Sequence, residues 1–269
     1  MTSFKGCTAL ITGASSGIGK ELARQLAPHA RCLLLVARRV ELLEALSAEV
    51  ARSGLRVHCI AADLADPNSV SELIAEIRAT GESPTFLVNN AGLGDHGPFA
   101  ESEWDRVDAM LEVNMKALTR LTHALLPRML QMGRGAILNV GSIAGYLPVP
   151  GMAVYAASKA FVNSFSESLR AELRGTGVSV TVLCPGPVDT GFRQVASRDG
   201  SQQLLQSPQF FKVSVERVAR EGLEAVALER ARRVPGVLVS VAMGLLALVP
   251  LCVLREFLPR GGSGAGSQK

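Results

Sequence analysis

Thr8-Ala-Leu-Ile-Thr-Gly-Ala-Ser-Ser-Gly-Ile-Gly19 joins a short apolar run to a glycine-rich turn, and the helix-like stretch Lys20–Ala27 follows directly. Each glycine has a physical task in such a turn. Gly13 permits the tight reversal, Gly17 lets backbone approach a bound anion, and Gly19 lets helix and strand pack closely. Unpaired N–H groups at the start of a helix, together with its dipole, then face that anion. A glycine cluster can also join a strand to a helix with no ligand in view. Position decides between the two readings here, because the cluster stands at the first strand-to-helix turn of an alternating chain.

That alternation runs on through the sequence. Apolar runs at Cys32–Val36, Val57–Ala61, Phe86–Val88, Ala136–Val140 and Val178–Leu183 read as strands covered on both faces. Between them, Leu, Ala, Glu and Arg recur at helical spacing over 40–52, 69–78, 104–132, 153–174 and 215–230. Asp66-Pro67 marks a helix start, and Gly54, Gly81 and Gly133 mark helix ends. The expected fold is α/β: a Rossmann-type, doubly wound parallel sheet in a single domain with an apolar C-terminal helical extension. Residues 1–233 form the dinucleotide-binding and catalytic unit in this reading, 234–260 the extension, and the Gly/Ser-rich 261–269 a disordered tail.

Composition narrows the function classes. A net charge of +4 without a dense Lys/Arg tract, and 4% aromatic residues, leave no basis for nucleic-acid recognition. Five scattered cysteines without a CxxC pair, and nothing resembling a signal peptide, point to reduced thiols and a cytoplasmic setting. The four histidines have no metal-ligand spacing, so no metal is expected.

Tyr155-Ala-Ala-Ser-Lys159 puts a phenol and an ammonium one helical turn apart on one face. A phenol with a pKa near ~10 is a poor proton donor or acceptor at neutral pH, and a neighbouring cation favours its ionised form. Ser142 stands 13 positions upstream at the end of a strand, on the edge of the sheet where doubly wound folds bind ligands. At the end of the second strand, Val36-Ala-Arg-Arg39 carries no carboxylate for a ribose 2′-hydroxyl. It carries Arg38 and Arg39 instead, suited to a 2′-phosphate, although both could simply face solvent.

The TGxxxGxG turn, Asn89-Asn-Ala-Gly92, Ser142, Tyr155-x-x-x-Lys159 and Pro185-Gly-Pro-Val-Asp-Thr190, in that order, resemble the short-chain dehydrogenase/reductase superfamily over about 5–228. The resemblance implies an oxidoreductase acting on CH–OH and C=O groups with NADP(H). Ser142 would hold the substrate oxygen, Tyr155 would exchange the proton, and Lys159 would bind the nicotinamide ribose and tune Tyr155. Asn114 would complete a proton relay; read alone, it could equally make a local backbone contact. The cofactor would lie along Gly13, Ser15, Ser16, Gly17, Ile18 and Gly19, then Arg38 and Arg39. It would continue past Asp63 and Leu64 and past Asn90, Ala91 and Gly92, and Pro185, Gly186, Val188 and Thr190 would cover the nicotinamide. Asp63 could instead serve as a local cap.

Two segments stay open. Residues 191–211 read as a lid, and His96 either lines the pocket mouth or sits in a solvated loop. Val234 to Leu254 is 21 residues without a charge, bounded by Arg232, Arg233 and Arg255, and Pro235 and Pro250 discourage one straight spanning helix. It can line a substrate pocket, form an oligomer interface or contact a membrane, with a soluble or peripheral protein favoured over a spanning one. All three readings suit an apolar carbonyl or alcohol substrate, and a homodimer or tetramer is expected. A non-catalytic NADP(H)-sensing protein and an oxidatively working alcohol dehydrogenase are the competing functions; the retained Tyr155 and Lys159 weigh against the first.

Overall fold

The computed structural model describes residues 4–188, 191–192, 196, 198, 212–246, 248–249 and 253. Seven strands, β1 (Thr8–Thr12), β2 (Cys32–Ala37), β3 (Arg56–Ala61), β4 (Phe86–Asn89), β5 (Gly135–Val140), β6 (Val178–Leu183) and β7 (Arg232–Arg233), form one sheet in the order β3-β2-β1-β4-β5-β6-β7. Every pairing is parallel. β1, β2 and β4 are buried at every position, which explains why they read as unbroken apolar runs instead of alternating ones. Helices α1 (Gly17–Leu26), α2 (Val40–Val50), α3 (Pro67–Ala79), α4 (Trp104–Leu111), α5 (Leu118–Gln131), α6 (Ala153–Glu172) and α7 (Val215–Ala227) cover the sheet, and α8 (Val237–Leu246) follows β7.

Three apolar clusters result among the described residues, the two larger ones on opposite sides of the sheet. Leu22, Leu26, Leu33, Leu35, Leu43 and Val218 belong to the first; Leu34, Val36, Leu73, Leu121, Ile137 and Val180 belong to the second. The alternate residues of β2 are thus divided between the two layers, as the period of a strand requires. The Asp66 side chain accepts from Asn68 N at 2.9 Å with Pro67 beside it, so the expected helix start is realised. Gly54, Gly81 and Gly133 all carry positive φ where their helices end.

One expected element is divided. The stretch 104–132 is not a single α-helix, because a π-helical turn over Glu112–Ala117 separates α4 from α5. The apolar periodicity of the two flanks is in phase, which hides the wider turn from a pattern reading. Its contribution is to aim Asn114 at the loop after β4. The expected lid and tail, 191–211 and 261–269, fall largely or wholly outside the described residues, as does most of the extension beyond 246.

Gly177 has φ +79°, and a Cβ there would stand 2.0 Å from Gly133 O, whereas Gly54, at φ +80°, opens onto empty space. Gly54→Ala therefore costs only the left-handed backbone penalty, about 1 kcal/mol. Gly177→Ala must also displace backbone, raising the loss to about 2–3 kcal/mol. Urea denaturation of the two variants checks this ordering.

Candidate active site

The crevice lies where the strand order reverses, between the carboxyl ends of β1 and β4. Its geometry starts from Thr12. The hydroxyl of Thr12 donates to Val88 O at 3.3 Å and accepts from Asn90 N at 3.0 Å and Ala91 N at 3.1 Å. In return, Asn90 Nδ2 donates to Thr12 O at 2.9 Å and Gly13 O at 3.2 Å. The turn after β1 and the turn after β4 are thereby clasped together. Gly13 has φ +66° and Gly17 has φ +53°. A Cβ on Gly19 would lie 2.4 Å from both Gly13 O and Asn90 Nδ2, so that position excludes any side chain.

The N-terminus of α1 is free for an anion. Ser16 occupies the cap position without a side-chain cap bond, and the first turn contains no acid. Ser15 and Ile18 are partly exposed and Ser16 is exposed along this edge. At the end of β2, Arg38 and Arg39 are both exposed and make no hydrogen bond or ion pair among the described residues. Cradle, helix end and two uncommitted guanidiniums fit the diphosphate and 2′-phosphate of a nicotinamide dinucleotide. Asp63 is exposed and its Oδ1 accepts from Ala65 N at 3.0 Å, so it caps locally; Leu64 beside it is buried.

At the end of β5, Ser142 caps a short 3₁₀ turn by accepting from Ala144 N at 3.1 Å. Burial pushes the Tyr155 phenol up, and the neighbouring Ser142 side chain draws it part of the way back. Lys159 is buried, donates to Val140 O at 2.8 Å and lies 5.8 Å from the centroid of the Tyr155 ring. Burial lowers its ammonium to about 8. Asn114 is fully committed through its side chain: Oδ1 accepts from Leu93 N at 2.8 Å, and Nδ2 donates to Leu93 O and Ser158 Oγ, both at 2.9 Å. The Leu118 N–H, which a regular α-helix would give to Asn114 O, goes to Met115 O. A Cβ at Gly92 would lie 3.4 Å from both Asn114 Oδ1 and Lys159 Nζ, which places the loop after β4 against the same cluster.

Past β6, Pro185 O accepts from Ile143 N at 3.1 Å, so this loop is tied to the Ser142 turn. Val188 is buried and forms a parallel bridge with Val213, while Thr190 lies outside the described residues.

Several residues that sequence reasoning missed hold this arrangement. Asn163 is buried, donates to Ser142 O at 3.2 Å and accepts from Cys184 Sγ at 3.4 Å. Its signal was available, because Tyr155, Lys159 and Asn163 repeat at four-residue steps along one face of α6. Phe192 lies over the phenol, with its ring centroid 5.5 Å from that of Tyr155 and its Cζ 2.7 Å from where a Gly94 Cβ would be. The segment carrying it is latched by Arg198, whose Nε donates to Asp95 Oδ1 at 3.0 Å and whose Nη2 donates to Oδ2 at 2.6 Å. That hydrogen bonding holds the buried Asp95 carboxyl below its ordinary value. His96 N donates to Ala196 O at 3.0 Å, and the His96 ring rests where a Cβ on Gly151 would meet Nε2 at 3.1 Å. His96 therefore packs at the mouth beside the start of α6.

One cluster lies away from the crevice. Cys32, His58 and Glu82 bring ligand atoms within 4.8 Å of one another, a proximity invisible in their spacing. Arg31 and Arg56 already pair with Glu82, and burial pushes the Cys32 thiol up to about 11. Two cations and a protonated thiol make a poor metal site.

A Rossmann-type sheet with these groups at its switch point defines the class of nicotinamide-dependent oxidoreductases. The short chain dehydrogenase family model matches residues 7–200, and the chain belongs to that family. It is 45% identical over 196 residues to a sulfoacetaldehyde reductase of Chromohalobacter salexigens, covering 72% of this chain and 76% of that protein. Among solved structures it resembles a short-chain dehydrogenase from Sphingobium yanoikuyae in complex with NADPH, at 32% identity and a TM-score of 0.80, over 97% of this chain and 98% of the other. It also resembles the bulky-bulky ketone specific alcohol dehydrogenase from Comamonas testosteroni, at 28% identity and a TM-score of 0.76, over 97% of each chain.

Arg198→Ala releases the latch over Tyr155 and leaves Arg106 as the ion-pair partner of the Asp95 carboxylate. A fall of about tenfold in kcat/KM, carried mainly by KM, is expected in steady-state assays, equivalent to ~1.4 kcal/mol. Because the Asp95 pKa is depressed in the fold, the latch is fully present above about pH 4 and is lost as the pH falls through the lowered value.

Proposed function

We propose that this oxidoreductase is an NADP(H)-dependent reductase of a carbonyl on an apolar substrate. The observation that carries the reading is the convergence of Ser142, Tyr155 and Lys159 at the strand ends beside the glycine turn. NADPH, when bound, supplies the hydride. Gly13, Ser15, Ser16, Gly17, Ile18 and Gly19 would hold its diphosphate, and Arg38 and Arg39 its 2′-phosphate. Asn90, Ala91, Gly92, Pro185, Gly186, Val188 and Thr190 would line its nicotinamide half.

The residues of this chain then handle the oxygen and its proton. Ser142 Oγ and Tyr155 Oη bind the carbonyl oxygen, and Tyr155 Oη donates the proton as charge develops there. Lys159, protonated below about pH 8, favours the phenolate left behind. Its Nζ would also donate to the ribose hydroxyls of the bound cofactor. Asn114 anchors the loop at Leu93, and its carbonyl, displaced from the regular ladder by the π-turn, accepts a water that returns the proton. The Phe192 ring beside the Tyr155 phenol gives the site an apolar neighbour, which supports a hydrophobic ketone over a small charged aldehyde. Exposed Phe99 and Trp104 support association into a homo-oligomer.

Three outcomes follow. Tyr155→Phe lowers the rate of NADPH consumption with a bulky ketone by about a thousandfold while leaving NADPH binding, read by fluorescence, within about twofold. The reduction rate of the wild-type protein falls as the pH rises through about 8, where Lys159 loses its proton. Replacing Arg38 and Arg39 by Ala lowers kcat/KM with NADPH by at least about tenfold, and with NADH by less than about threefold. Near-normal turnover in Tyr155→Phe overturns the reading.

A further inference from the structure

Helix α8 divides into two faces, and both are apolar. On the inner face Val239 is buried, and its Cγ1 would stand 3.2 Å from a Cβ on Gly186; Met243 packs against the same core cluster. On the outer face Val237, Leu238, Val241 and Leu245 are 56–65% exposed, at positions that fall within roughly a third of the helix circumference. The helix is held firmly at its base. Glu221 is buried on α7 and accepts from Arg233 Nε at 2.9 Å and Gly236 N at 3.3 Å. The outer face is therefore displayed by a fixed element.

The sequence near this face is predominantly basic, with exposed Glu229 beside Arg230. From Arg230 to Lys269 the sequence contains six basic residues and a single acid, Glu256. Arg230 and Arg232 are exposed just before the helix. Next in sequence after the uncharged run comes Arg255. Parallel docking against a second copy would set Arg230 and Arg232 of each chain against the same cations of the other. An anionic headgroup layer answers the same cations, and its acyl region accepts the apolar face. No helix of the described residues is long and apolar enough to cross a membrane.

We propose that the outer face of α8 is a docking surface for the interface of a bilayer containing anionic lipid, entered by Val237, Leu238, Val241 and Leu245 and held by Arg230 and Arg232. Val239 packs from the inner face of the same helix onto the loop after β6. The docked bilayer therefore lies next to the wall of the crevice, and the substrate class becomes carbonyl compounds that partition into lipid. This last step rests on the function proposed above; the docking surface does not.

The test is flotation of the full chain with vesicles of phosphatidylcholine alone and of phosphatidylcholine with phosphatidylglycerol. Wild-type protein is expected to float with the anionic vesicles, several-fold less with the neutral ones, and less at high salt. V241E combined with L245E, both on the exposed face, should reduce flotation by roughly tenfold. NADPH binding and turnover of a water-soluble ketone should be unchanged in that variant, which shows that it is folded. Absence of wild-type flotation, or flotation of the double variant equal to wild type, overturns the proposal. So does a variant that only converts a wild-type dimer to monomer in gel filtration, because the face then belongs to a second copy. Normal flotation without turnover of any ketone upholds the docking surface and overturns the reductase reading instead.

Discussion

The hydroxyl of Thr12 is the point on which the rest of the architecture depends. At the switch point of a parallel sheet, neighbouring strands send their chains to opposite faces, and a crevice opens because nothing fills the gap between them. Such a gap would leave the N–H groups of Asn90 and Ala91 without partners. Thr12 Oγ1 accepts from both, and Asn90 Nδ2 answers by donating to Thr12 O and Gly13 O. The crevice thus stays open with its backbone satisfied, while the glycine turn is fixed against the loop that leads to Leu93 and Asn114. Gly19 belongs to the same constraint, since any Cβ there would meet the oxygen and amide that make the clasp.

The chemistry placed on this frame costs stability. Lys159 is buried beside Val140 O with its ammonium lowered from 10.5 to about 8. A shift of that size corresponds to about 3 kcal/mol of burial cost, fully present below pH 8, where the folded and unfolded forms are both protonated. The cost eases as the pH rises from 8 toward 10.5. A buried methionine would be better tolerated at this position, so the charge is explained by work on bound ligands. The carbonyl of Val140 is the partner that makes a buried ammonium tolerable and aims it.

The fold was legible because parallel strands covered on both faces leave unbroken apolar runs, and because glycines and Asp66-Pro67 punctuate the helices between them. Ser142, Tyr155 and Lys159 were legible through spacing: helical periodicity puts two on one face and a strand end supplies the third. The π-turn was not legible, because one extra residue in a helix leaves the apolar pattern on either side undisturbed. Asp95 and Arg198 stand 103 positions apart and meet only through the fold. Phe192 over Tyr155 is likewise a tertiary fact, since the segment after β6 carries no periodic signal. The extension beginning at Val234 was legible as apolar, but only its packing separates the inner face of Val239 from the outer face of Val241.

The central claim is that the cluster built on Thr12 and Lys159 reduces a carbonyl with hydride from NADPH. It is tested most directly by supplying NADPH deuterated at both C4 positions, with a bulky apolar ketone in ordinary water, and reading the product by mass spectrometry and NMR. The account predicts an alcohol carrying one deuterium, on the carbinol carbon, with an ordinary proton on its oxygen. An alcohol without deuterium, or no alcohol from any ketone in the series, would contradict it.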